Sequence, residues 1–193
     1  MGVDGYYKIA HDQLDEGQFG SAVIFSPFNY RVGEVMGVEV TSAYSKDGFS
    51  AYTNFGVSRA MGKDIVSGEF QFDPAELAYI HDNWVHLDHD QLLTASAGVS
   101  YKIYNTMVYS DLLFGSGLRD GFANSDHLPS YWTMNVGISH SFDVPHFGKV
   151  TARFDIVNLL DKIYELRDGS GIGVGAPQFG ARRGFYGSLS MSF

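Results

Sequence analysis

The amino-acid sequence predicts an all-β fold, an antiparallel transmembrane β-barrel region of about eight strands. Three observations predict it. Apolar and polar residues alternate with a period of two in several long runs, as they do in strands with two different faces. No run sustains the i, i+3, i+4 apolar stripe of an amphipathic helix. Short and long connections alternate between the runs, which is typical of membrane barrels with tight turns at one rim and long loops at the other.

Composition limits the partners that the chain can have. Its 193 residues suit a single β-barrel region over 1–193. With 13 basic and 22 acidic residues the formal net charge is −9, which argues against a nucleic-acid partner. The absence of cysteine excludes a disulfide framework and a thiolate metal site. The opening stretch "MGVDGYYKIAHDQ" has neither a basic nor an apolar region, so we expect no signal peptide in it.

Each strand follows from one alternating run. The run at 92–103 is the clearest, since Leu93 and Val99 lie on one face and Thr94 and Ser100 on the other. The runs at 4–12 and 108–118 are weaker, and His140 interrupts the apolar row of its run. In chain order the eight runs cover about residues 4–12, 35–44, 49–58, 92–103, 108–118, 131–142, 150–156 and 185–193.

Connection lengths place the loops. Three are short, at Ser45–Gly48, Tyr104–Thr106 and Val144–Gly148. Four are long, at about 13–30, 64–90, 119–129 and 165–182. Strict alternation puts every long connection at the same rim of the sheet. Within the second of them, residues 73–84 could form one or two helical turns.

The apolar rows are expected to face lipid. They carry large side chains and end in aromatic residues, as at the two interfaces of a bilayer, whereas the polar rows hold mostly Ser, Thr, Gly, Asn and Tyr. The exterior of a water-soluble barrel would carry more Lys and Glu. We therefore assign to lipid Leu93, Val99, Val136, Ile138, Phe154 and Leu189, and to the lumen Thr94, Ser100, Asn135 and Arg153.

The glycine-rich stretch "DGSGIGVGAPQFGARRGFYG" contains a dinucleotide-like pattern. Gly171, Gly173 and Ala176 satisfy G-x-G-x-x-A, but that pattern binds a pyrophosphate only where it opens a helix. Pro177 disfavours a helix in that register. We therefore predict an irregular outer loop over Gly169–Gly180 and no nucleotide cofactor.

The C-terminal part of the chain resembles a known family. Asn158-Leu159-Leu160-Asp161-Lys162 with Tyr164 is close to "N-L-F-D-K-x-Y", and it is followed by Arg182-Arg183 and a final amphipathic strand. These features resemble the C-terminal β-barrel region of TonB-dependent outer-membrane receptors, and "GEVMGVEVTSAY" and "LPSYWTMNVGISHSF" resemble the preceding barrel strands. The family imports siderophores, cobalamin, haem or glycans with energy relayed by TonB.

The resemblance implies a barrel portion in the bacterial outer membrane, with outer-membrane lipid and the barrel-assembly machinery as partners. The TonB box and plug domain of the family have no counterpart in these 193 residues, so TonB is a partner only if a plug domain is supplied elsewhere.

Two alternatives stay open. One is a stand-alone eight-stranded outer-membrane barrel with a structural or adhesive role, and the other is a soluble β-barrel that binds an apolar ligand.

Strand edges and row composition favour a piece of a large barrel. An open edge in hydrocarbon costs several kcal/mol for each unpaired backbone group, on the order of tens of kcal/mol in total. Eight strands can close, but the lumen must then be filled by side chains. Polar rows rich in Ser, Thr and Gly fill such a lumen poorly.

Candidate ligand contacts are His81, Trp84 and His86 in the connection 64–90, and Arg153 on the lumen row. The histidines of the tract 81–90 lack the i, i+4 helical spacing that fixes two imidazoles, so no metal site is assigned. Arg153 and Asp155, with Glu39, Lys102 and Asp111, are expected to form a structural ion-pair network in the lumen. No nucleophile-elbow pattern is present, so we assign no catalytic residue and expect no enzyme activity.

The last strand supplies one further expectation. In outer-membrane barrels a terminal amphipathic strand resembles the signal that the assembly machinery reads. The residues that would carry it are Phe185, Leu189, Met191 and Phe193.

Overall fold

The computed structural model describes residues 1–18, 25–145, 148–173 and 175–192. Long strands alternate with short elements that lie inside the long connections. In chain order the elements are β1 (Gly2–Gln18), β2 (Phe25–Lys46), β3 (Phe49–Ser67), a 3-10 turn (Glu69–Gln71), α1 (Pro74–Asp82), β4 (Val85–His86), β5 (Leu93–Ile103), β6 (Thr106–Gly115), β7 (Arg119–Asp120), a second 3-10 turn (Phe122–Asn124), β8 (Asp126–His127), β9 (Tyr131–Val144), β10 (Gly148–Val157), β11 (Glu165–Asp168), β12 (Pro177–Phe179) and β13 (Gly184–Ser192).

Nine strands form one antiparallel sheet. Eight of them are hydrogen-bonded in the order β1-β2-β3-β5-β6-β9-β10-β13, and β4 pairs with β3. The predicted all-β antiparallel fold with about eight main strands is confirmed. In the part of the chain that the structure describes, β1 and β13 are not paired with each other, and the assignment of the sheet to a portion of a barrel stays a prediction.

The short connections lie where the sequence predicts them. Between β2 and β3 the two turn residues, Asp47 and Gly48, have φ values of 49° and 83°. An Asp-Gly pair with positive φ at both positions forms the type I′ turn that matches the twist of a hairpin. Tyr104 and Asn105 join β5 to β6 in an equally short turn.

The first long connection is shorter than predicted. Residues 13–30 were expected to form a loop, but β1 runs on to Gln18, and β2 begins at Phe25. Gln13 is paired with Tyr30 and Gln18 with Phe25, in an unbroken register. Backbone pairing requires no apolar alternation. Residues 13–18 are mostly polar, and the start of β2 contains Pro27, a residue that indicates a turn in sequence patterns. The prediction was therefore wrong for residues 13–18 and 25–30, and residues 19–24 lie outside the described residues.

One face of the sheet is apolar and exposed, and we call it the apolar face. Pairing aligns Phe49, Tyr101, Val108, Ile138 and Phe154 in one row across five strands. Directly opposite residues of antiparallel strands lie on the same face. The five side chains are between 37% and 45% exposed. A continuous apolar surface of this extent needs an apolar partner.

The opposite face, which we call the polar face, carries Ser50, Ser100, Tyr109, Gly137 and Asp155 in one paired row. The ring of Tyr109 lies against Gly137, where a Cβ atom would come within 2.3 Å of the ring. Large rings therefore cover glycines on this face, which makes it bulkier than its Ser, Thr and Gly content predicts. The same arrangement joins Tyr6 to Gly37, Tyr52 to Gly98, and Tyr131 to Gly115.

His140, which interrupts an apolar row, has a cross-strand partner. It is paired with Thr106, and the Thr106 hydroxyl shares a hydrogen bond of 2.8 Å with His140 Nδ1. The ring also stacks on Phe142, with centroids 6.2 Å apart. The imidazole is therefore accommodated on the apolar face without an unpaired Nδ1.

The buried apolar residues gather at the end of the sheet where the long connections lie. Among the described residues all of them except Leu128 and Tyr131 form one cluster, which we call the loop core: Phe28, Tyr30, Ile65, Phe72, Ile80, Val85, Ala123 and Ile172. Leu77 and Leu87 pack against it. The sheet itself contributes only strand ends to this core, so the long connections are folded rather than loose.

The helix within the second long connection is confirmed. Pro74 occupies its first turn, and the side chain of Asp73 accepts a hydrogen bond of 2.8 Å from Ala75 N. A capping Asp followed by Pro is a typical helix start. α1 then runs for nine residues and buries Ile80 in the loop core. Neither it nor any other helix among the described residues is long and apolar enough to cross a membrane.

The glycine-rich stretch is more regular than predicted. β11 and β12 form a two-stranded antiparallel sheet in which Asp168 pairs with Pro177. Pro177 is tolerated as the first residue of its strand, where no ladder hydrogen bond is required from it. The prediction of an irregular loop was wrong for Pro177–Phe179. A strand rather than a helix follows Ala176, in keeping with the interpretation that the G-x-G-x-x-A pattern is incidental.

Candidate functional site

The loop core lies over the polar face. Alternation along β3 places Gly62 on that face, and a Cβ atom at Gly62 would lie 2.6 Å from the ring of Tyr30. Alternation along β2 would instead put Tyr30 on the apolar face. Asp12 of β1 and Asp64 of β3 lie on either side of Arg31 of β2, and both have positive φ values. The backbone is therefore irregular at this level of the sheet, and the alternation of faces changes there. The long connections consequently fold inward across one end of the polar face.

Two residues tie the third and fourth long connections together. Asn124 is fully buried, and its side chain donates to His86 O at 2.7 Å and accepts from Ile172 N at 2.8 Å. Ile172, 2% exposed, is the part of the glycine-rich stretch that enters the loop core. Gly171 precedes it with a φ of 91°, and a Cβ there would lie 2.7 Å from Asn124 Oδ1. The glycine therefore permits the close approach of the two connections.

A buried ion-pair network joins residues that are far apart in the sequence. Arg167, 8% exposed, donates to Asp88 Oδ2 at 2.7 Å and lies at the same distance from His89 Nε2. Asp88 is itself buried and also contacts His89 Nδ1. Asp15, near the end of β1, interacts electrostatically with this group. β1, the connection before β5, and β11 thus meet in a single polar cluster.

The charges of this cluster change the pKa of His89 and decide whether we interpret the cluster as a metal site. The hydrogen bond to Asp88 raises the pKa of His89, although burial and the nearby Arg167 oppose the shift. Asp15, Asp88 and His89 offer ligand atoms that lie within 4.8 Å of one another. Arg167 already supplies a positive charge to Asp88, so we interpret the group as an ion-pair network that fixes the loops.

His86 forms a second network. Its Nδ1 lies 2.6 Å from Asp90 Oδ2, and Arg119 Nη2 donates to the same oxygen at 3.1 Å. The other oxygen of Asp90 accepts from Ala60 N at 2.9 Å. Because Asp90 is buried, this network anchors the connection before β5 to β3. His86 is therefore held in place by its neighbours, with 24% of its side chain exposed.

The structure does not join His81 and Trp84 to this network. His81 Nδ1 lies 3.0 Å from Asp64 Oδ1, and Asp64 also pairs with Arg31, at the outer side of α1. Trp84, 40% exposed, lies just before β4. His81, Trp84 and His86 share one connection, and the two histidines contact different carboxylates, Asp64 and Asp90. Whether they contact a ligand stays a prediction.

Arg153 lies on the polar face of the sheet, as predicted. It donates to Asp155 from Nε at 2.7 Å and from Nη2 at 2.9 Å. Its guanidinium lies 5.0 Å from the centroid of the Tyr109 ring, and Tyr109 donates to Asp155 at 2.5 Å. Asp111 accepts a hydrogen bond of 2.6 Å from Asn135 on the same face. The Arg153–Asp155 ion pair agrees with the predicted network, but Asp111 contacts an amide instead of a cation. Glu39 and Lys102 form no ion pair with another described residue, so the network is smaller than predicted.

The family-like segment after β10 forms a compact turn. Asn158, 1% exposed, donates to Lys162 O and Ala181 O and accepts from Lys162 N, each at 2.9 Å. Asp161 accepts from Arg182 at 2.6 and 2.8 Å and from Arg183 N at 3.0 Å. The paired arginines thus lock this turn, which agrees with their predicted place at the outer rim.

The residues of the expected assembly signal lie on β13. Phe185 and Leu189 are 62% and 76% exposed, and Met191 is exposed beside them. Pairing with Ile156 and Ala152 puts Phe185 and Leu189 on the apolar face. Phe193 lies outside the described residues. Their role in assembly stays a prediction.

Several residues of the folded connections carry little or no signal in the local sequence. Asp15, Arg167, Asn124 and Ile172 each depend on a partner many residues away, and no local pattern marks such pairs. Ile172 has a weak signal, because an isolated Ile among glycines indicates an apolar anchor. Tyr30 was missed because its strand continues past the point where the alternation changes.

Comparisons with known proteins address the fold. No protein-family model and no curated protein matches the chain. Among solved structures the chain is similar to BauA, the ferric preacinetobactin receptor from Acinetobacter baumannii, with a TM-score of 0.52 and 15% sequence identity. The similarity covers 99% of this chain and 34% of the receptor chain. The chain thus spans about a third of that receptor's length and has a receptor-like antiparallel β fold.

Proposed function

We propose that the chain is a portion of an outer-membrane receptor barrel of the TonB-dependent type, which provides barrel wall and outer connections for the uptake of a ligand. The observation that carries the proposal is the exposed apolar face. Phe49, Tyr101, Val108, Ile138 and Phe154 cross five strands as one row. In a bilayer such a row lies against acyl chains, and the polar face lies toward the interior.

The folded connections support a receptor rather than a purely structural barrel. All long connections emerge at one end, and the loop core and the buried Arg167–Asp88 pair fix them over the polar face. A preformed surface above the interior suits ligand capture. His81, Trp84, His86 and Arg153 remain our candidates for ligand contacts.

The open edges support a larger assembly. β1 and β13 each present unpaired backbone groups in the described structure, and in hydrocarbon each such group costs several kcal/mol. In the proposed barrel these edges pair with further strands, and in a membrane that holds this chain alone we expect the edges of two copies to pair with each other. The partners are therefore outer-membrane lipid, the barrel-assembly machinery, and TonB only where a plug domain is present.

Fractionation tests the proposal. The chain is fused to an export signal, and its outer-membrane fraction is washed with urea, which removes peripheral proteins. We expect the chain to remain in the membrane pellet and to show heat-modifiable gel mobility. A matched Val99→Asp variant should be depleted from the pellet, whereas Ser100→Asp should be retained. Release of the unmodified chain by urea would contradict the proposal.

A further inference from the structure

The apolar face contains a groove of about 750 Å³ between β1, β2 and β3. Its floor is formed by Gly5, Val38 and Val57, which are aligned in one paired row. Tyr7 and Leu92, 61% and 48% exposed, border it. The groove exists because Gly5 offers no side chain where its neighbours in β1, Val3 and Tyr7, each offer a large one.

A cation stands at one end of this groove. Arg59 lies in the next row of the apolar face toward the long connections, aligned with Met36 and Tyr7. Its Nη2 donates to Glu34 Oε1 at 3.2 Å and approaches Met36 Sδ at 3.8 Å, and its side chain is 45% exposed. A guanidinium has five N–H donors in a planar fork, so the contact with Glu34 leaves donors for a second acceptor.

A second cation lies beyond Arg59. Lys63 lies two rows further along β3 on the same face, and its Nζ donates to Asp82 O at 2.9 Å. Arg59 and Lys63 are matched in number by the acidic residues Glu34 and Asp82, so the feature that an acidic group would meet is the set of Arg59 donors that Glu34 leaves free. An apolar trough that ends in a cationic group is complementary to an acyl chain that ends in an acidic headgroup.

We infer that this groove binds an anionic phospholipid, with its acyl chain over Gly5 and its phosphate at Arg59. The inference rests on the proposed function, since it requires the apolar face to lie in a bilayer. It goes further in naming one place and one headgroup class. Arg is favoured over other residues for this task because its fork matches phosphate oxygens in a bidentate manner.

The test uses the full chain in vesicles of phosphatidylcholine with a minor fraction of phosphatidylglycerol. After gentle detergent extraction, native mass spectrometry measures the ratio of the two lipids that stay bound. We expect phosphatidylglycerol to be enriched over its bulk fraction. Arg59→Gln should reduce the enrichment about fivefold, the equivalent of about 1 kcal/mol for one basic residue near an anionic surface. Arg59→Lys keeps the positive charge but loses the planar fork, so its enrichment should lie between that of the unmodified chain and that of Arg59→Gln.

A pair of glycine variants tests the groove. Gly5→Leu should fill it and reduce the enrichment, whereas Gly187→Leu adds the same side chain to the apolar face in an open position on β13. If Gly5→Leu fails to insert, the comparison of Arg59→Gln with Arg59→Lys still tests whether Arg59 binds the anionic lipid. Insertion without enrichment, or enrichment unchanged in Arg59→Gln, overturns the lipid site alone. Failure of the unmodified chain to insert into any vesicle overturns the proposed function and the site with it.

Discussion

At the scale of single residues, Asn158 shows how one side chain can hold a turn. It satisfies two carbonyls and one N–H, and it adopts a φ of 48° that Asn tolerates better than most residues. Asn158→Ala should lower the free energy of unfolding by roughly 2–4 kcal/mol, because three hydrogen bonds are lost and buried groups stay unpaired. Urea unfolding of the detergent-solubilised chain measures this.

The neighbouring Leu160 supplies a control for that variant. Leu160 is 58% exposed, so Leu160→Ala should change the free energy of unfolding little. Equal losses for Asn158→Ala and Leu160→Ala would show that the turn does not depend on the buried amide.

Two adjacent residues of β5 test the assignment of the faces. Val99 is 50% exposed on the apolar face, and Ser100 lies on the polar face opposite Tyr109. Val99→Arg should cost roughly 2–4 kcal/mol if the site lies near the bilayer midplane, whereas Ser100→Arg should cost much less. Unfolding in lipid vesicles gives both values. A larger cost for Ser100→Arg would reverse the faces.

At the scale of elements, the turn after β10 should respond to acid. The hydrogen bonds from Arg182 and from Arg183 N hold the pKa of Asp161 well below its ordinary value. The stabilisation is present above the ordinary carboxyl pKa of about 3.9 and is lost as the pH falls through the lower pKa of the folded state. Arg182→Gln should therefore reduce stability at neutral pH and little at the acid end. A difference that does not depend on pH would contradict this.

The loop core should open when its anchor is shortened. Ile172→Ala should lower the free energy of local opening by roughly 2–4 kcal/mol, since the side chain is almost fully buried. Amide hydrogen exchange of residues 121–125 reports this opening. Phe179→Ala, in the same hairpin but 56% exposed, is the matched control. Equal protection in Ile172→Ala and the unmodified chain would exclude Ile172 as the anchor.

The elements differ in how far the sequence predicts them. Period-two alternation gave both faces of β5 and β9, because each side chain's face follows from its position in the strand. The end of β1 and the start of β2 were missed because backbone groups carry their pairing, residues 13–18 are mostly polar, and Pro27 indicates a turn. The contact of Arg167 with Asp88 spans 79 residues, and no local pattern encodes it. The tertiary contacts of the long connections are consequently not predictable from the sequence.

At the scale of the whole molecule, the sheet has one apolar face and one polar face, and the two require different surroundings. The apolar face is exposed across five strands, and the polar face is covered at one end by the loop core. A water-soluble barrel would bury the apolar face in its interior. The proposed barrel portion therefore requires that the apolar face contacts lipid.

The two tryptophans test this claim most directly. Trp132 is aligned with Phe114 on the apolar face, and Trp84 lies in a long connection. Trp84→Phe and Trp132→Phe each leave one reporter in the chain, and phosphatidylcholine with brominated acyl chains quenches only tryptophans that contact lipid. We expect strong quenching when Trp132 remains and weak quenching when Trp84 remains. Equal quenching of both, or stronger quenching of Trp84, would contradict the claim that the apolar face lies in the bilayer.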